Sequence, residues 1–216
     1  MNIKHLAVAT LAVAASSAIA APYNYTVWTA SSSSSATGTV GGAGVTFTGP
    51  LDGILSNTQN PYYAAYPGDY TSSTVSNAPA VSDNFIQLQG GNQNTYSLTF
   101  TKPVNNLVIS VLSLGAGGPA EFDFNKSFSI LSQGPDQWGG SNTSLSIVGN
   151  NLVGSEGSGS ILFSGSTTTL SWTLPTLEYW YGFTAATPVA TPEPSSIAIF
   201  GVGALGLLIR RKRQSR

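Results

Sequence analysis

The residues that could do chemistry in this chain are almost all carboxylates. There is no cysteine, and the single histidine, His5, lies near the start, in a segment with the character of a removable leader. A mature chain without it has no thiol nucleophile, imidazole base, His/Cys metal site or disulfide. Glycoside hydrolysis needs only a pair of acids. Asp52, Asp69, Asp83, Glu156 and Glu178 could supply them, yet they are scattered and no local spacing selects a pair. Two groupings are tighter. In Glu121-Phe122-Asp123-Phe124-Asn125 a strand puts the two carboxylates and the amide on one face and both rings on the other; such oxygens could hold Ca²⁺. No D-x-D-x-D-G loop accompanies them, so the plain reading is an outward polar face over an inward Phe pair. In Gly134-Pro135-Asp136-Gln137-Trp138-Gly139-Gly140, Trp138 sits on a loop beside Asp136, an indole with polar neighbours of the kind a sugar-binding site uses. The alternative is a Trp that plugs one end of the fold. Trp28, Trp172 and Trp180 sit in strand-like runs and are expected in the core.

Charge separates the ends from the middle. Lys4 precedes the first apolar run, and Arg210, Arg211, Lys212, Arg213 and Arg216 follow the last. Residues 21–194 hold two lysines against nine acids, a net charge of −7 with no arginine. Nucleic acid is therefore excluded as a partner, because binding it depends on neutralising phosphates. Residues 1–20 read as a secretory signal peptide: a basic start, an apolar stretch and Ala18-Ile19-Ala20 as the cleavage site.

At the other end, Pro192-Glu193-Pro194 is rigid and extended, with two amide donors removed. The apolar run Ile197 to Ile209 follows. Counted from Ser195 it covers about 22 Å as a helix, against a hydrocarbon core near 30 Å, so the transmembrane helix it predicts is short. The basic cluster Arg210, Arg211, Lys212 and Arg213 acts as a membrane stop and keeps the tail cytoplasmic with the main domain outside.

These three parts in this order at the C-terminus, together with a signal peptide, resemble the PEP-CTERM sorting signal of bacterial surface proteins. The resemblance implies recognition by an exosortase, a membrane protease-transpeptidase, in bacteria that secrete exopolysaccharide. It also implies an exported precursor tethered to the inner membrane, released later to the cell surface or extracellular matrix. The segment from Tyr96 to Phe183, with LVISVLSLG, FDFN and WTLPTLEYWYGFT, is similar to the globular part of one group of these proteins, which adds no functional residue.

Between the ends, 21–186 reads as one domain of roughly 165 residues, large enough for a single core; 187–216 form linker and tail. Short β-type runs recur between Gly, Pro, Asn and Ser. In Thr95–Thr101, Tyr96, Leu98 and Phe100 face one way and hydroxyl residues the other, while Leu107–Leu114 is apolar on both faces, as a central strand is. About ten strands and no segment of helical period predict an all-β, antiparallel, jelly-roll-like β-sandwich. Ser31–Gly44 and Asn57–Pro79 are expected as long loops. The second carries Tyr62, Tyr63, Tyr66 and Tyr70, which either form a contact surface or fold back over a sheet. The functional expectation is a non-enzymatic exported protein associated with exopolysaccharide. A carbohydrate- or calcium-binding adhesin is the second reading and a glycosidase-like enzyme the third.

Overall fold

The computed structural model describes residues 19–190. Most of the expected signal peptide and the sorting tail from residue 191, with its apolar run and basic end, lie outside the described residues. Among those described, no helix is long and apolar enough to cross a membrane.

The described chain is an antiparallel β-structure folded into a sandwich. Its strands are β1 (Tyr23–Tyr25), β2 (Val27–Ser31), β3 (Ser35–Val40), β4 (Ala43–Thr48), β5 (Gly53–Ser56), β6 (Asn84–Leu88), β7 (Asn92–Leu114), β8 (Ala120–Phe124), β9 (Ser129–Gly134), β10 (Leu145–Val148), β11 (Asn151–Gly154), β12 (Gly157–Leu174) and β13 (Tyr181–Pro188). A single turn of helix, α1 (Tyr62–Ala65), and a 3₁₀ turn at Pro67–Tyr70 lie between β5 and β6. Ser31–Gly44 is not a loop as expected. It holds the end of β2, all of β3 and a two-glycine turn, because Ala36 and Val40 point inward at strand spacing although their neighbours are Ser, Thr and Gly.

Two long strands make the sandwich. β7 and β12 pair along nearly their whole length, with register shifts in β12 between Phe163 and Ser166 and between Thr167 and Thr169. There the pair bends: Pro103 can donate no ladder hydrogen bond, and Asn106 takes a left-handed φ of 50° while its Oδ1 accepts the Gly165 N–H at 3.1 Å. On one side of the bend the order is β2-β3-β4-β7-β12-β8-β11-β10. On the other it is β9-β12-β7-β13-β6-β5, with β1 beside the end of β13. Between the two layers lies the main core, in which Phe47 contacts Tyr96, Trp172 and Phe183.

The second layer is covered on its outer face as well, which is why Leu107–Leu114 carries apolar residues on both sides. Leu107, Ile109 and Val111 face the main core, whereas Val108 and Leu112 pack outward. The segment Asn57–Pro79 lies over that outer face. Tyr63 and Tyr70 are buried there against Phe85 and Leu112, and the Tyr63 hydroxyl donates to the Ser110 carbonyl at 3.0 Å. Of the two roles open to the tyrosine loop, covering a sheet is the one these residues fill.

Candidate functional site

At one end of the second layer the chain forms a cleft of about 310 Å³ lined by Tyr62, Ser113, Ala116, Trp138, Glu156 and Trp180. Its aromatic wall is a cluster of three rings. Trp138 stands 4.8 Å between centroids from both Tyr62 and Trp180, and Tyr62 meets Trp180 edge-on at 5.5 Å. Trp138 remains 43% exposed, so a large flat apolar surface faces solvent from a well-supported position. Trp28 and Trp172 are core residues as expected. Trp180 is not: it is half-buried and forms part of this wall.

The opposite side of the cleft is polar and conformationally unusual. Ser113, at the end of β7, and Glu156, just before β12, have φ of 55° and 53°. This left-handed region is costly for residues with a Cβ and is held only where surrounding contacts demand it. The Ser113 hydroxyl donates to Glu156 Oε2 at 3.0 Å, and the Glu156 amide donates to the Gly115 carbonyl at 3.2 Å. A hydrogen-bond chain joins the two walls: the Ser113 N–H donates to Ser158 Oγ at 2.9 Å, and Ser158 Oγ donates to Asp136 Oδ2 at 2.6 Å. Asp136 Oδ1 in turn accepts the Trp138 N–H at 2.8 Å. Asp136 is thus buried, and its carboxylate faces inward, fixing the loop that presents Trp138.

The electrostatics here are acidic throughout. Burial, with Asp136 adding to it, holds the Glu156 carboxyl above its ordinary range despite the Ser113 hydrogen bond. Behind it, buried Glu178 accepts the Gly115 amide at 2.9 Å on Oε2 and the Ala116 amide at 2.9 Å on Oε1. Desolvation outweighs those donors and raises Glu178 to about 7. Asp69, above the same layer, is raised to about 6 by burial and by Asp136. The two lysines of the described region lie away from the cleft, at the bend: Lys102 precedes Pro103, and Lys126 donates to Thr167 Oγ1 at 2.5 Å.

The other expected groupings are placed as follows. Phe122 and Phe124 stack inward at 5.5 Å, and Glu121, Asp123 and Asn125 point away from them. Glu121 Oε2 accepts from Asn151 Nδ2 at 2.8 Å, and Asn125 Oδ1 accepts the Ser171 N–H at 3.0 Å. Among the described residues no three His, Asp or Glu side chains gather into a metal-binding group. Asp52 and Asp83 lie in other parts of the fold; Asp52 Oδ2 accepts from Gln87 Nε2 at 3.2 Å, and Asp83 Oδ2 accepts the Ala80 N–H at 2.7 Å.

A larger hollow of about 530 Å³ lies at the opposite end of β13. Its lining includes Lys102, Asn106, Thr187 and Ala190. It is the point from which the chain leaves the domain toward its C-terminus. Residues 190–213, which continue from there, match the family model described as the PEP-CTERM protein-sorting motif. The chain carries a PEP-CTERM sorting motif. The match contains Pro192-Glu193-Pro194, the apolar run and Arg210 to Arg213, the residues on which the resemblance rested. The motif makes this an exported, surface-directed protein and implies exosortase-dependent processing. No curated protein and no solved structure matches the chain.

Proposed function

We propose that this PEP-CTERM protein is a non-enzymatic component of the cell surface or extracellular matrix that holds exopolysaccharide through the Trp138 cleft. One observation carries the reading: the exposed indole of Trp138, backed by Tyr62 and Trp180, faces a hydroxyl and a carboxylate across a cleft of about 310 Å³. Flat apolar sugar faces suit such a wall and sugar hydroxyls suit Ser113 and Glu156. Two further features support it. The cleft and the sorting motif leave from opposite ends of β13, a strand of eight residues spanning about 25 Å, so a tethered precursor would present the cleft away from the membrane. At the N-terminus, Ile19 is 88% exposed, whereas the Ala21 amide donates to the Thr74 carbonyl at 3.0 Å, so a cut after Ala20 would spare every bonded residue of the domain.

A non-enzymatic role fits the site, because Glu178 is occupied by backbone amides and, among the described residues, Glu156 is the carboxylate that lines the cleft. The test is binding of the domain to a glycan array and to the producing organism's own polysaccharide, comparing wild type with Trp138→Ala. Loss of stacking on one ring is expected to weaken binding by about tenfold or more; equal binding by wild type and variant would remove the cleft from the function.

A further inference from the structure

We infer that the saccharide unit this cleft prefers carries a positive charge, a hexosamine with a free amino group; the inference rests on the reading of the cleft as a sugar site. Three observations point the same way. The aromatic wall offers ring faces, whose quadrupole attracts a cation within about 6 Å of the centroid, and Trp138 leaves part of such a face open. On the polar side Glu156 is the carboxyl that lines the cleft, and among the described residues its carboxylate accepts one hydrogen bond, from Ser113 to Oε2, which leaves Oε1 for a ligand donor. Finally, the ionisable groups packed nearest Glu156, Asp136 on its loop and Glu178 before β13, are carboxyls, and neither lysine of the described residues stands among them.

Glu156 is held in this like-charged place by a left-handed backbone conformation at both Ser113 and itself. That backbone cost is met by the contacts around the two residues, and an ammonium group beside the Glu156 carboxylate would offset the repulsion from its acidic neighbours. The same field acts against uronic acids and sulfated sugars, which would bring a further negative charge to an anionic pocket. Aromatic wall and carboxylate together therefore select by charge what the wall alone would accept by shape.

The test uses the mature domain with three oligosaccharides of equal length, one of glucosamine, one of N-acetylglucosamine and one of galacturonate, measured by calorimetry. At about pH 6.5, below the range of an α-amino group, the glucosamine oligomer is expected to bind about tenfold or more tighter than the N-acetylated one, and the galacturonate not at all. For wild type at about pH 9.5 the amine is uncharged and the preference should vanish. Glu156→Gln, checked for an unchanged thermal transition, should bring the glucosamine oligomer down to the N-acetylated level. Equal affinity for the first two oligomers at the lower pH, or a preference that persists at the higher pH, overturns the amino-sugar assignment while leaving a saccharide site. Binding to none of the three overturns the assignment together with the reading beneath it.

Discussion

Glu178 shows how far a single side chain can be moved from its ordinary chemistry by where the chain puts it. Its carboxylate is buried under the Gly115–Ala116 turn, where a left-handed φ of 98° at Gly115 and the close approach of Gly154 leave no space for a side chain. Glu178 is raised to about 7 from an unfolded value near 4.5, and Asp69 to about 6 from near 3.8. A carboxyl whose pKa rises on folding binds its proton more tightly in the native state, so its contribution is complete below the unfolded pKa and is lost as pH climbs through the folded one. The domain is therefore expected to melt at a higher temperature near about pH 5 than near about pH 8, and Glu178→Gln should flatten that dependence. A melting temperature that rises between those two pH values would refute the expectation. At this scale the sequence revealed Trp138, because Pro and three Gly around an indole exclude a strand. It did not reveal Tyr62, Ser113, Glu156 and Trp180 as its neighbours. They come from four separate stretches of the chain, and a left-handed Ser or Glu has no signature in residue type, unlike a left-handed Gly.

Among the elements, the tyrosine segment Asn57–Pro79 works as a third layer rather than a connection. Tyr63 and Tyr70 pack at 4.7 Å, and Tyr63 meets Phe85 at 5.3 Å. Beneath them the serines of β7 and β12 pair with each other, with Ser110 Oγ 2.8 Å from Ser160 Oγ. Tyr63→Phe is expected to cost about 1 kcal/mol, the hydroxyl's bond to Ser110, and Tyr63→Ala about 3–5 kcal/mol through the cavity it leaves. Urea denaturation measures both; a Tyr63→Ala variant as stable as wild type would mean the segment is a mere surface. Period-two alternation made β4, β7 and β8 readable, and the doubly apolar Leu107–Leu114 announced a strand covered on both faces. β3 escaped because its inward residues Ala36, Gly38 and Val40 are small, Ala36 standing beside Phe47 and Gly38 beside Trp28 in the ladder, and alternation between Ala and Ser carries little contrast. The extent of β7 and β12 escaped too, since a strand that bends at Pro103 looks in sequence like two strands with a turn between them.

At the scale of the whole molecule, the fold class and the address could be read from sequence. Strand order could not, because pairings such as Tyr23 with Pro188 join residues at opposite ends of the domain. With no disulfide, the sandwich relies on its core and ladder alone, and the sorting motif directs it to the exterior. Exosortase-dependent processing of the motif predicts that protein recovered from the medium has lost the basic end. Intact-mass measurement decides this: a chain shorter than Arg216 is expected, and a released chain still ending at Arg216 would refute cleavage of the tail.

The layout of β13 has a mechanical consequence. The strand begins next to the cleft and ends where the sorting motif starts, and it is flanked by β7 on one side and by β6 and β1 on the other. Tension between a polymer gripped at the cleft and an attachment beyond residue 190 would run lengthwise through it. Its hydrogen bonds would then be loaded together in shear rather than torn open one after another. Loaded at those two points, the domain would resist pulling through its tail better than its modest size and lack of covalent cross-links suggest.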